Sequence, residues 1–242
     1  MIKHIFTNHK RFALLYFLIL FIDINVKLNY PPLPYRFISK PLILLLLLGY
    51  FYFNKVGVNY KKNLCVFVAL VFFLFGDLLN IIHSNIVLLG LSLFFFSVAK
   101  IFLSIKFSHK RDFNVSKLVP FTTIMFVYTM FLIWFLYKDL GAFLVPALFS
   151  FFITLVMMQF AYLRQDVFNY KSYLYVFVGV VLYSMAEGML AIRIFKFSLP
   201  LQDFLIMVFY GIAVYLIVLG VINEKEIEQE QVEKFDDKIN VL

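Results

Sequence analysis

Charge is what this chain has least of. Only 15% of its 242 residues are Asp, Glu, Lys or Arg, while 63% are hydrophobic. A soluble domain carries about 25% charged and about 45–50% apolar residues, so the composition excludes an ordinary water-soluble globule. Cysteine is nearly absent. The single Cys65 excludes an internal disulfide, and its place in an apolar run reads as a buried, inert thiol. Histidine is scarce too, and His4, His9, His83 and His109 are terminal or in loops, which argues against a buried histidine metal site. The glycine loops of nucleotide-binding proteins and the G-x-S-x-G nucleophile elbow are missing. No small-residue cleavage site follows the basic start and the first apolar run, so that run reads as a span and not as a removed signal peptide. Strands alternating apolar and polar residues are missing as well, which excludes a closed barrel.

What is present in quantity is apolar sequence in long runs. A spanning helix needs about 20 mostly apolar residues. Eight candidates satisfy this: Phe12–Val26, Phe37–Phe53, Leu64–Ile82, Ile86–Phe107, Leu118–Tyr137, Leu140–Leu163, Tyr173–Phe195 and Leu201–Ile222. The first is short and contains Asp23. Tyr30-Pro31-Pro32-Leu33-Pro34 is a stiff break between the first two. The expected fold is therefore all-α, an eight-helix transmembrane bundle over residues 1–222, followed by a charged tail over residues 223–242. That tail reads as a solvated helical extension or a disordered end, with partner binding a further option.

The net charge of +8 belongs to loops, and topology accounts for it without nucleic acid. Fifteen Lys and Arg fall on the side that holds both termini, and five on the other. Positive charge stays cytoplasmic. The expectation is a multi-pass protein of the cell inner membrane with both termini cytoplasmic. The oligomeric state is not readable from the residues.

Two stretches interrupt the apolar runs with acid: Phe75-Gly76-Asp77-Leu78-Leu79-Asn80 and Tyr183-Ser184-Met185-Ala186-Glu187-Gly188. An ionisable residue at membrane depth is costly and marks a functional candidate by default. At 1.5 Å per residue, Asp77 lies about 20 Å and Glu187 about 21 Å from the cytoplasmic ends of their helices. Matched depth on separate helices implies one polar pocket facing the bundle interior. The shared local pattern, four spans apart, also fits a parallel four-plus-four repeat. Asp77, Asn80 and Ser84 share one helical face, and Tyr183 and Glu187 share another. Gly76 and Ala186 are small enough for close helix approach. Two neighbouring buried acids titrate apart, so that one keeps its proton while the other is ionised. The alternative is structural, each acid held by a facing Tyr, Lys or backbone group.

Lys40 either pairs with an acid, holds a phosphate, or snorkels to the headgroups, and its place near a helix end favours the last. Lys100 either reaches the pocket or runs its stem to the inner interface. Tyr210 and Tyr215 read as packing residues with some hydrogen-bonding capacity.

In this order and spacing, Lys40-Pro41-Leu42, Phe75-Gly76-Asp77-Leu78-Leu79, Gly90-Leu91, Phe94-Phe95, Gly179, Tyr183, Glu187, Leu190-Ala191-Ile192, Phe195 and Tyr210 resemble the YhhN-like membrane proteins, the lysoplasmalogenase family. The likeness runs from about Ile38 to Gly220. It implies eight helices and a hydrolase that cleaves the vinyl ether of lysoplasmalogen, giving a fatty aldehyde and a glycerophospho-ethanolamine or -choline. It makes Asp77 and Glu187 the catalytic pair; Lys40, Asn80, Lys100, Tyr183 and Tyr210, singled out above from the residues, are the substrate-binding candidates. The substrate is a membrane lipid, and no cofactor or metal is needed. The chain departs from the family pattern at named places: Glu187 after Ala186 replaces Asp after Ser, Lys100 replaces a His, Leu103 a Tyr, and Val214 a Gln. Vinyl ether hydrolysis needs a proton donor and a second carboxylate to steady the cation and direct water. The less polar flanks of Glu187 favour it as the acid. A non-enzymatic lipid-binding protein, or a small transporter with a carboxylate proton relay, is the other expectation.

Overall fold

The computed structural model describes residues 2–55, 60–82, 84–109 and 115–225. The described helices are α1 (Ile2–Thr7), α2 (His9–Asn29), α3 (Tyr35–Asn54), α4 (Tyr60–Asn80), α5 (Ile86–Phe107), α6 (Val115–Leu136), α7 (Leu144–Tyr162), α8 (Tyr170–Phe195) and α9 (Gln202–Ile222). Short 3₁₀ turns at Gly141–Phe143 and Leu163–Asp166 flank α7. Eight of these helices are long and apolar enough to cross a membrane. They are the eight expected spans, with ends moved by a few residues, and the protein is a multi-pass, all-α membrane protein.

Local chemistry sets several ends. The side chain of Asn8 accepts from the backbone N–H of Lys10 and Arg11 at 3.1 and 3.2 Å and starts α2. Asn85 does the same for α5, accepting from Val87 and Leu88 at 3.0 and 3.3 Å. Such caps satisfy N–H groups that a helix start leaves without partners. The short α1 was not expected from hydropathy. It folds back on α3, where Asn54 Nδ2 donates to the Phe6 carbonyl at 2.8 Å.

The packing order is a ring. Each of α2, α3, α4, α5, α7, α8 and α9 packs against the next, and α9 returns to α2. Helix α6 lies outside, against α7 and α8. Its Leu118–Leu136 span is 6% buried, against 28–56% for the other seven, and Ile124, Val127, Phe131 and Trp134 are exposed on it. Under a four-plus-four repeat α6 would correspond to α2, yet α2 is a ring member. The α8–α9 crossing is closest where side chains vanish. A Cβ on Gly179 would lie 2.9 Å from the Ala213 carbonyl oxygen, and one on Gly220 would lie 2.9 Å from the Val176 nitrogen. Small residues let helix backbones approach in this way.

At the end carrying the termini, Glu224 accepts from Lys106 and Arg164, each at 3.1 Å. The start of the charged tail is thus tied to α5 and to the turn after α7. The expectations for residues 226–242 lie outside the described residues. Cys65 is half-buried on α4.

Candidate functional site

Burying a carboxylate inside a helical ring requires partners from neighbouring helices, since an unpaired charge there costs several kcal/mol. Both acids have them. Asp77 on α4 is ion-paired to Lys40 of α3 at 2.9 Å. Tyr210 of α9 donates its hydroxyl to the other Asp77 oxygen at 2.9 Å. Glu187 on α8 is ion-paired to Lys100 of α5 at 2.6 Å. Ser150 and Thr154 of α7 donate to it at 2.9 and 2.6 Å. Lys100 is fully buried and also donates to the Ser150 carbonyl, Ser150 Oγ and Thr154 Oγ1 at 2.7–2.9 Å. One cluster ties α3, α4 and α9; the other ties α5, α7 and α8.

These clusters meet in a cavity of about 170 Å³. At about 10–15 Å³ per water, it has room for on the order of ten waters. Asp77 and Glu187 both line it, from helices across the ring, together with Lys40, Asn80, Tyr183 and Tyr210. Much of the remaining lining is apolar, including Leu89, Leu93, Phe96, Phe151 and Met207. The cavity also reaches Pro32 and the segment Arg193–Phe195. It therefore occupies the half of the bundle away from the two termini, the half in which matched depth placed the acids.

The residues singled out from the sequence find these places. Asn80 lines the cavity one turn beyond Asp77, whereas Ser84 lies past the end of α4 and is exposed. The Tyr183 ring packs between Phe73 and Tyr210, with centroids 5.5 and 6.2 Å away. Two expectations are corrected. Lys40 does not snorkel; its ammonium turns inward because Asp77 offers a partner one helix away. Tyr210 is not mere packing, since its hydroxyl is committed to Asp77. Tyr215 does pack, stacking on Tyr16 at 5.0 Å away from both acids. Lys100, open between two directions, points into the bundle and sits behind Glu187, outside the cavity lining. Gly76 allows the close approach expected of it, since a Cβ there would lie 2.9 Å from the Phe96 ring.

Ser150 and Thr154 were missed. A Ser and a Thr four residues apart share a helix face, but apolar spans carry many such pairs, and nothing local marks this one. Arg36 was missed as well. It lines the cavity one turn before Lys40 on α3 and is 5% exposed. Loop arithmetic placed it among residues outside the membrane, where an arginine needs no explanation.

Chemically, the site offers two carboxylates, each with its own ammonium, on a cavity of about 170 Å³ between apolar helices. Three donors converge on Glu187, which leaves it an acceptor. Asp77 has fewer, Lys40 and Tyr210. Lys100 and Glu187, two of the positions at which the sequence resemblance leads one to expect other residues, are one contact.

Neither the curated proteins nor the solved structures yield a match. The model of the YhhN family matches residues 35–221. That range holds every residue of both acid clusters, from Lys40 to Tyr210, and covers well over half of the sequence. This chain belongs to the YhhN family.

Proposed function

We propose that this protein is a lysoplasmalogenase-type membrane hydrolase. The observation that carries the reading is the pair of carboxylates, Asp77 and Glu187, lining one largely apolar cavity from opposite sides of the ring. Family membership supports the reaction class. The substrate is a single-chain lipid with a vinyl ether at its first glycerol carbon.

The reaction begins with proton transfer to the alkene carbon beyond the ether oxygen. The C=C bond becomes a single bond and an oxocarbenium ion forms. Water adds to the cationic carbon and returns one proton to the site. The resulting hemiacetal breaks its bond to the glycerol oxygen, releasing a fatty aldehyde and the glycerophospho-alcohol. No electrons are lost or gained, and one water is consumed. We assign proton delivery to the Lys40–Asp77 pair: the proton shared between the Lys40 ammonium and the Asp77 carboxylate passes through Asp77 to the alkene carbon, and the proton released by the attacking water restores the pair. Glu187, an acceptor for three donors, steadies the cation and orients water. This exchanges the roles that the flanking residues favoured, because partners from other helices outweigh sequence neighbours. Both termini are placed on the cytoplasmic side of the inner membrane, on the strength of the basic-residue asymmetry.

A second reading keeps the cavity and drops the turnover. It is favoured by the completeness of the ion pairs, which a binding protein needs as much as an enzyme does. Purified protein is to be incubated with lysoplasmalogen and assayed for aldehyde. Aldehyde release at a rate proportional to protein supports the hydrolase. Lipid binding without aldehyde, across ethanolamine and choline headgroups, removes it and leaves the binding protein.

A further inference from the structure

Lys40 is the residue that the sequence offers for a lipid phosphate, but its charge is taken by Asp77 at 2.9 Å. At the end of the cavity away from the termini, Lys27 and Arg193 share Asp203, at 3.5 and 2.8 Å. Arg36 differs from all of these. No carboxylate is ion-paired to it, its Nη2 donates only to the Met207 sulfur at 3.4 Å, and its Nε is buried with no partner. Asp23, also buried on that side, accepts from the Ser39 hydroxyl through Oδ1 at 2.5 Å, its Oδ2 has no hydrogen bond, and it forms no ion pair with Arg36. Asp23, Asp77 and Asp203 act on its charge through space without touching it, so its donors stay open, and a planar fork of donors is the side chain best matched to phosphate.

We propose that Arg36 is the anchor of an anion subsite, and that the anion is the phosphate monoanion of a single-chain phospholipid whose ether end lies at Asp77. The lipid part rests on the function proposed above; the anion part rests on Arg36 itself. The spacing agrees. Arg36 precedes Lys40 by one turn, about 6 Å along α3. Five bonds separate the phosphorus of such a lipid from its ether oxygen, and at about 1.2 Å per bond along an extended chain they span about 6 Å. An anion at Arg36 therefore sets the scissile bond beside the Lys40–Asp77 pair. Lys27 and Arg193 add positive field at the mouth without being freed from Asp203.

The test is equilibrium binding to purified protein in a maltoside detergent, using saturated probes that cannot be hydrolysed at a vinyl ether. The probes are a 1-O-alkyl lysophosphatidylethanolamine and the 1-O-alkylglycerol of the same chain, which lacks phosphate. The parent protein should bind the first at least tenfold more tightly. Arg36→Met, which fits beside Met207, should abolish that preference and leave alkylglycerol affinity unchanged within twofold. Arg36→Lys, which keeps the charge and is the milder change for folding, should retain part of it. Glycerophosphate and inorganic phosphate are added as competitors. Displacement at millimolar concentration assigns the subsite to free phosphate as well, and no displacement assigns it to the lipid headgroup; either keeps the anion site. Equal binding of the two amphiphiles to the parent overturns the inference. So does an Arg36→Met protein that keeps the preference or loses both ligands equally. A parent protein that shows the preference yet releases no aldehyde from lysoplasmalogen overturns the hydrolase reading alone.

Discussion

The Lys100–Glu187 pair is the most enclosed interaction of the site, and its contribution is measurable by a double-mutant cycle. The Lys100 side chain is 0% exposed and that of Glu187 is 15% exposed. Removing one member leaves the other as a buried, uncompensated charge, at a cost of about 3–5 kcal/mol. Lys100→Met keeps the stem and removes the ammonium. Glu187→Gln keeps the volume and removes the carboxylate. Each alone should lower stability by about 3–5 kcal/mol. At about 2–4 °C per kcal/mol for a chain of this size, the melting temperature should fall by about 6–20 °C. The double substitution removes both charges, and Ser150 and Thr154 can still bond the amide. It should be milder than the sum of the singles, with a coupling energy of at least about 2 kcal/mol. Equilibrium unfolding in mixed detergent micelles reads all four corners. Single effects that add within about 0.5 kcal/mol would mean that the two groups do not interact, and the reasoning about this cluster would fail with them.

Four further outcomes are expected. Asp77→Asn and Glu187→Gln should each lower aldehyde release by about 100-fold or more, the usual scale for a positioned acid or base, in protein shown to be inserted and monodisperse. Gly179→Val should loosen the α8–α9 crossing and cost about 1–3 kcal/mol, because the new Cβ would lie 2.9 Å from the Ala213 carbonyl oxygen. Gly90→Ala, whose Cβ would meet nothing nearer than the Phe143 ring at 3.8 Å, should be neutral or stabilising in the same unfolding measurement. Reporter fusions at Asn85 and Val232 should label opposite sides of the membrane, and labelling on one side would overturn the assigned topology.

The residues alone determined the number and order of the spans, because a membrane helix must be apolar over about 20 residues and that demand is local. They also singled out Asp77 and Glu187, because a carboxylate in such a run stands out against its neighbours, and they placed both at one depth by the constant rise of a helix. Which side chain meets which was a different matter. Side-chain contacts between helices depend on rotation about each axis and on ring order, and neither is written in hydropathy. Tyr210 on Asp77 and Lys100 on Glu187 join helices distant in the sequence, and Lys40 beside Asp77 joins two consecutive ones. The exclusion of α6 from the ring was likewise hidden, since lipid and a helix neighbour favour the same apolar residues. Arg36 shows the limit most clearly. Beside the prolines of a loop it reads as an ordinary interfacial arginine, and only the fold, by closing α9 over it and giving Lys40 to Asp77, leaves its guanidinium buried at the cavity with no carboxylate ion-paired to it.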